Sequence, residues 1–121
     1  MPTKKAEASA KLEGKTWVLS DYSKAGLVYE GDQVTKSHQF KIFGCDDTVI
    51  EVRGKCKSIM LEGCKKVTLI ATGLISQVEM FNCKNCKVDV KESLPMVTLE
   101  NTQELKIVLS RATMGAKVQT C

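Results

Sequence analysis

Cysteine is the residue type whose spacing most invites a chemical interpretation of this sequence. Six cysteines occur in 121 residues, and Cys83 and Cys86 form a single CxxC pair. A structural zinc site normally takes four ligands, from two such pairs or from one pair and histidines. The sequence has no second pair, and its one histidine, His38, belongs to a different repeat. The spacing therefore favours buried free thiols in a reducing compartment over a metal centre.

Other catalytic patterns are missing from the sequence. With one histidine, general acid–base chemistry would depend on carboxylates or lysines, and local sequence singles none of them out. The sequence contains no GxSxG, no P-loop and no GxGxxG. We therefore expect a binding protein with no metal and no cofactor, rather than an enzyme.

The length and composition of the chain limit the number of domains and the class of fold that can position these residues. A chain of 121 residues with 43% apolar residues suits one domain with one modest core. The net charge of +4 and only six aromatic residues argue against nucleic-acid binding. The apolar runs fall far short of the roughly 20 residues that span a bilayer. Residues 1–10 are polar without a signal-peptide core, so we expect a disordered tail at 1–10, a domain at 11–121 and a cytoplasmic location.

A repeat of nineteen residues organises most of the chain. Four blocks follow one another without a gap from His38 to Thr113, and a fifth begins at Met114. Their apolar positions align in columns: Phe40, Ile59, Val78, Val97 and Ala116; Ile42, Leu61, Met80, Leu99 and Val118; Thr48, Val67, Cys86 and Leu105; Ile50, Leu69, Val88 and Ile107; Val52, Ala71, Val90 and Leu109. Within a block these positions lie two residues apart, which is the strand period.

Two strand-like runs in every nineteen residues are typical of one coil of a parallel β-helix. Stacked coils would lie about 4.8 Å apart, so each completes the inward face of its neighbour. A leucine-rich repeat is disfavoured, because both halves of each block carry the strand pattern. One turn column holds Gly44, Gly63, Asn82 and Asn101, residues that tolerate positive φ. Cys45, Cys64, Cys83 and Cys121 share another, with Thr102 in the fourth block; we interpret that column as stacked small residues at a turn.

The two ends of the solenoid depart from the period. Residues 11–37 fit it poorly, and we expect Trp17, Leu19, Leu27 and Tyr29 to form an irregular first coil that covers the lower end. At the upper end the fifth coil is incomplete. An open coil exposes unpaired backbone groups, which proteins normally cover. A second copy of the chain is the simplest cover, so the pattern predicts a homodimer.

Basic residues gather on one outward edge. Arg53, Thr72, Lys91 and Ser110 share a column; Gly54, Gly73, Glu92 and Arg111 share the next, with Lys55 beside it, while Lys65, Lys66 and Lys84 lie on the turn. One interpretation is a row of solvated lysines. The other is an electropositive face that docks on an acidic partner.

Five segments resemble the C-terminal domain of cyclase-associated proteins. They are KLEGKTW (11–17), VRGKCKSIMLEGCKKVTL (52–69), QVEMFNCKNCKVDV (77–90), LPMVTLE (94–100) and VLSRAT (108–113). The segments follow one another in the same order as in the family, and the resemblance covers the chain from about residue 11 to residue 121. The family's Asp-Gly turn in the last full coil is replaced by Gln103-Glu104.

The resemblance implies a right-handed parallel β-helix that binds monomeric actin, prefers its ADP form and regulates nucleotide exchange and filament turnover. It also implies a dimer formed by exchange of C-terminal strands. The family's basic-Gly-Lys triplet corresponds to Arg53-Gly54-Lys55 and its Leu-Ser-basic triplet to Leu109-Ser110-Arg111. The actin-binding residues expected on this basis and from the columns are Arg53, Lys55, Lys91, Ser110 and Arg111.

The same fold resembles tubulin-folding cofactor C, whose relatives activate GTPases with an arginine finger. GTPase activation on tubulin or a small GTPase is therefore the alternative function. Glu79 stands where that arginine would be needed, and a carboxylate cannot neutralise developing phosphate charge. The sequence therefore favours actin binding.

Overall fold

The chain forms a right-handed parallel β-helix with coils of about nineteen residues. The computed structural model describes residues 9–109 and 117–120. The strands are β1 (Ser9–Glu13), β2 (Thr16–Ser20), β3 (Gly26–Tyr29), β4 (Gln39–Phe43), β5 (Val49–Glu62), β6 (Thr68–Phe81), β7 (Lys87–Ser93), β8 (Met96–Glu100), β9 (Lys106–Leu109) and β10 (Lys117–Thr120). A 3-10 helix spans Gly31–Gln33. The predicted fold class is confirmed.

The solenoid has two faces, each of which is a stack of parallel strands. Face one stacks β2, β4, the second half of β5, the second half of β6 and β8, all parallel. Face two stacks β3, the first half of β5, the first half of β6, β7 and β9, also parallel. Strand β1 lies antiparallel on β2 and begins at Ser9, two residues before the expected boundary of the tail. Within the described residues no helix is long and apolar enough to cross a membrane.

The predicted columns are the buried rungs of these faces. Phe40 pairs with Ile59, Ile59 with Val78 and Val78 with Val97, each nineteen residues on. All four side chains are buried, as the strand period requires when one face meets the core. The fully buried interior is mostly aliphatic, with Cys56 and Thr48 among its members.

The first coil is longer and closes the lower end, as expected. Trp17 pairs with Phe40, twenty-three residues on rather than nineteen. The 3-10 helix lies within this longer coil, and the Gln33 carbonyl accepts a hydrogen bond from Trp17 Nε1 at 2.9 Å. The Tyr29 ring lies 5.0 Å from Trp17 and 5.3 Å from Phe40, centroid to centroid. These aromatic contacts close the core within the first described coil.

The upper end corrects one predicted register. A gap-free repeat placed Ala116 beside Val97 and Val118 beside Leu99. In the structure β10 pairs with β8 so that Val118 lies opposite Val97 and Thr120 opposite Leu99. The last coil is therefore two residues longer than the period. A shift of two preserves the strand alternation, so the apolar pattern could not reveal it.

Candidate functional site

The predicted basic edge lies where face two ends. Arg53 and Lys55 are exposed on β5, and Lys91 is exposed on β7. The last two predicted residues, Ser110 and Arg111, fall outside the described residues. The structure therefore brings three of the five predicted contact residues to one edge of the solenoid.

A bulge at Gly54 changes the register of this edge. Val52 pairs with Ala71, and the next pair is Lys55 with Gly73. Between these pairs β5 advances three residues while β6 advances two, so β5 carries one extra residue here. Gly73 in turn pairs with Ser93. The predicted column that placed Gly54 beside Gly73 and Glu92 is therefore wrong.

Glycine is required at the bulge for two reasons. Gly54 has a φ of 136°, a conformation that side chains rarely permit. A Cβ there would lie 3.2 Å from Val34 Cγ1, inside ordinary contact distance. The Gly54 amide, displaced from the ladder, donates instead to Thr72 Oγ1 at 2.9 Å. The side chains of the edge are thus positioned by a satisfied bulge rather than by a continuous ladder.

Each described cation of the edge has an acidic partner. Arg53 Nε donates to Glu51 Oε2 at 2.7 Å, and its Nη1 lies 3.5 Å from Glu30 Oε2. The hydrogen bond and charge of Glu51 raise the pKa of Arg53 above its ordinary value. The remaining two pairs are Lys55 with Glu92 at 3.7 Å and Lys91 with Asp89 at 3.2 Å. The described part of this edge is therefore a mixed-charge network.

The opposite corner, which we call the cysteine corner, comprises residues 44–48, 63–67, 82–86 and 101–105 and joins face one to face two. Each of its four turns contains two left-handed residues. The predicted Gly/Asn column has φ values from 49° at Asn101 to 66° at Gly63, which confirms that prediction. A second column three residues later was not predicted: Asp47, Lys66, Asn85 and Glu104, with φ between 48° and 54°.

Thiols and hydroxyls line the inside of this corner. Cys83 Sγ donates to the carbonyls of Phe81 at 3.4 Å and Leu61 at 3.5 Å. Thr102, in the same slot one coil on, donates to the equivalent carbonyls of Glu100 and Met80 at 3.1 and 3.2 Å. A hydroxyl thus replaces the thiol with the same partners. This equivalence supports the interpretation of the column as stacked small residues at a turn, and it adds that they donate to carbonyls at the ends of the preceding strands.

The described cysteines, Cys45, Cys56, Cys64, Cys83 and Cys86, are all buried free thiols. Burial raises the pKa of Cys56 to about 12. The hydrogen bond of Cys64 to Cys45 raises the pKa of Cys64, and that of Cys86 to Cys83 raises the pKa of Cys86, in both cases with burial adding to the rise. Within the described residues, no three histidine, cysteine, aspartate or glutamate side chains are placed so that they could hold a metal ion. Cys121 lies outside them.

The relatives of this chain decide its family. The family model for the adenylate cyclase associated (CAP) C-terminal region matches residues 6–121. Human adenylyl cyclase-associated protein 1 is 28% identical over 116 residues, which is 96% of this chain and 24% of that protein. Cyclase-associated protein 1 of Arabidopsis thaliana is 27% identical over 108 residues, covering 88% of this chain and 22% of that protein. The chain belongs to the cyclase-associated protein family.

The family fold is the one described above. The crystal structure of the cyclase-associated protein from Cryptosporidium parvum superposes with a TM-score of 0.89 at 19% identity, over 96% of this chain and 71% of that chain. This chain spans about a quarter of the length of the curated family members that it matches. The match therefore concerns the C-terminal part of cyclase-associated proteins.

Sequence reasoning missed the ion pairs of the edge, although a signal for two of them was present. Glu51 and Arg53 lie two residues apart on a strand, as do Asp89 and Lys91. Residues at that spacing project from the same side of a strand, so opposite charges can meet. Aligning columns between coils compares residues of different coils and overlooks partners within one coil. The aligned columns therefore indicated the edge but not its charge balance.

Proposed function

We propose that this chain is a non-enzymatic, cytoplasmic domain that binds monomeric actin, prefers the ADP form and regulates nucleotide exchange and filament turnover. The observation that carries the proposal is the family match across residues 6–121, which spans the whole solenoid. A rigid stack of parallel strands suits recognition of a protein surface, because its outward side chains are held in fixed columns.

The proposed actin contact is the edge formed by Arg53, Lys55 and Lys91, together with Ser110 and Arg111. The side chains of Arg53, Lys55 and Lys91 are 52%, 46% and 59% exposed. Exposed ion pairs contribute little to stability, so their cations can be redirected to carboxylates of a partner at small cost. The Lys55–Glu92 pair, at 3.7 Å, is the longest of the four.

Regulation of nucleotide exchange on actin would follow from a difference between the affinities of the chain for ADP-actin and for ATP-actin. A ligand that binds one nucleotide state of actin more tightly shifts the population toward that state, and a ligand that binds both equally shifts nothing. The proposal therefore requires a measurable difference between ADP-actin and ATP-actin. Such a difference is more informative than binding alone.

The test is a titration of labelled monomeric actin, in its ADP and ATP forms, with three versions of the chain. They are the wild type, the Arg53→Ala/Lys55→Ala/Arg111→Ala variant and a control, Lys11→Ala/Lys24→Ala/Lys41→Ala, that removes the same charge from exposed lysines away from this edge. We expect the wild type to prefer ADP-actin, the edge variant to bind at least about tenfold more weakly, and the control to match the wild type. Absence of wild-type binding would refute the function. Equal losses in both variants would refute the contact residues.

We also propose that two copies of the chain pair at the upper end. Among the described strands, β9 hydrogen bonds only to β7 and β10 only to β8, which leaves one side of each without a described neighbour. Edge strands of this kind favour pairing with another chain. Light scattering on the eluting protein across a range of concentrations should give the dimer mass. A monomer at every concentration would contradict the proposal.

A further inference from the structure

Five lysines crowd the outer surface of the cysteine corner and the adjoining start of face two. We call them the lysine cluster: Lys65 and Lys66 on one coil, Lys84 and Lys87 on the next, and Lys106 on the coil after that. All five side chains are exposed. They span three consecutive coils, about 10 Å along the solenoid axis at the spacing of neighbouring strands.

The strand register places like charges directly opposite one another in this cluster. Lys65 pairs with Lys84 across an isolated parallel bridge. Lys87 pairs with Lys106 in the ladder between β7 and β9. Like charges in directly opposed positions destabilise a sheet. The fold therefore carries two unfavourable lysine pairs in neighbouring columns. A neutral residue at one position of a pair would relieve the repulsion in that pair.

The lysines of the cluster have acidic neighbours in register but no ion pair within the described residues. None of its five lysines forms an ion pair there, whereas each described cation of the opposite edge does. The nearest acids in register flank it: Asp46 precedes Lys65 in one column, Asp47 precedes Lys66 in the other, and Glu104 follows on a later coil. Within the described residues this corner therefore presents five exposed lysines without an ion pair, three of which, Lys65, Lys66 and Lys84, the sequence already placed on the turn.

The backbone of the corner indicates which anion the cluster suits. Its amides are already used between coils: Lys66 N donates to the Lys84 carbonyl, Lys84 N to Cys64, Lys87 N to Val67 and Lys106 N to Cys86, all at 2.9–3.0 Å. Phosphate sites commonly combine cations with free backbone amides, which are not offered here. What remains is a set of mobile ammonium groups, which pair readily with dispersed carboxylates.

We propose that the lysine cluster docks a short acidic segment of a protein partner. An extended segment of four or five residues covers about 13–17 Å, enough to cross the cluster along the solenoid axis. This proposal does not depend on actin binding, because it rests on a different corner of the molecule and on a different set of charges.

The test measures fluorescence anisotropy of a labelled hexaglutamate peptide with the full chain at low and near-physiological salt. The variant Lys65→Gln/Lys84→Gln/Lys87→Gln removes both members of the Lys65–Lys84 pair and one member of the Lys87–Lys106 pair. The control, Lys15→Gln/Lys36→Gln/Lys41→Gln, makes the same charge change away from the cluster. We expect the cluster variant to bind at least about tenfold more weakly than wild type and the control to stay within about twofold.

Thermal melting distinguishes loss of docking from loss of fold. Relief of like-charge pairs should leave the cluster variant at least as stable as the wild type. If it melts earlier, the single variant Lys84→Gln, which interrupts one pair only, provides the binding comparison. No wild-type binding of the peptide, or an equal loss in the control, would overturn the proposal. So would binding to phosphatidylserine vesicles that the peptide cannot displace, which would assign the cluster to a membrane surface.

Discussion

Replacing Gly63 with alanine isolates the energetic contribution of the left-handed corner. Gly63 has a φ of 66°, and a Cβ built there meets no atom within 4 Å. The substitution therefore adds backbone strain without a steric clash. For an L-residue this conformation costs roughly 1–2 kcal/mol, partly offset by the lower entropy of the unfolded alanine chain. We expect a net loss of about 1 kcal/mol in the free energy of unfolding.

Gly26→Ala is the matched control. Gly26, at the start of β3, also has no atom within 4 Å of its built Cβ, but its φ lies outside the left-handed region. There the same substitution should stabilise the chain by about 0.4–1 kcal/mol, because only the unfolded-state entropy changes. The two variants should therefore differ by about 1.5–2 kcal/mol although both add the same methyl group into open space.

Urea unfolding followed by circular dichroism measures this difference, provided that both variants keep the wild-type m-value. The melting temperatures should differ in the same direction, by several degrees for a chain of this size. Equal midpoints for the two variants would show that the corner relaxes freely. The Gly/Asn column would then reflect something other than backbone conformation.

Three further predictions concern the core and its thiols. Thr102→Val keeps the side-chain shape but deletes the donor to two carbonyls, so it should cost about 1 kcal/mol more than Thr102→Cys in urea unfolding; equal losses would contradict the hydrogen-bond role of this column. Leu61→Ala should cost about 2–5 kcal/mol, because Leu61 is fully buried, whereas Leu12→Ala at a 47% exposed position should cost far less; similar losses would contradict the assigned core. Because the pKa of Cys56 rises from 9.0 to about 12 on folding, the unfolded chain releases the proton first, so stability should fall as pH rises from about 9 to about 12. Urea unfolding at several alkaline pH values should show a shallower fall for Cys56→Ala, and an unchanged slope would contradict the assignment.

The rungs of face one were predictable because the repeat is strict there. Gln39, Ser58, Gln77 and Met96 pair in succession at intervals of nineteen. Every coil must present its apolar side chains inward at the same height, so the sequence period and the structural period coincide. Alternation of two then assigns each residue to the core or the surface.

The bulge was not predictable from the same alignment. The interval is nineteen at Val52, eighteen at Lys55 and nineteen again at Ser58. A register shift of one residue that is reversed within the same corner leaves the overall period unchanged. The aligned columns therefore do not reveal it. Only the freedom of glycine at position 54 marks the place, and many glycines in strands do not form bulges.

The repeat alone does not show which cations of the two corners are paired with acids. Stacking blocks identifies neighbours along the solenoid axis, so it correctly set Lys65 beside Lys84. It does not show partners within a coil, such as Glu51 beside Arg53. A cation held 2.7 Å from a carboxylate contributes little field at a distance. Lysines opposed to one another reinforce their field instead. Encounter with an acidic partner should therefore be steered first by the lysine cluster, whichever edge later forms the closest contact.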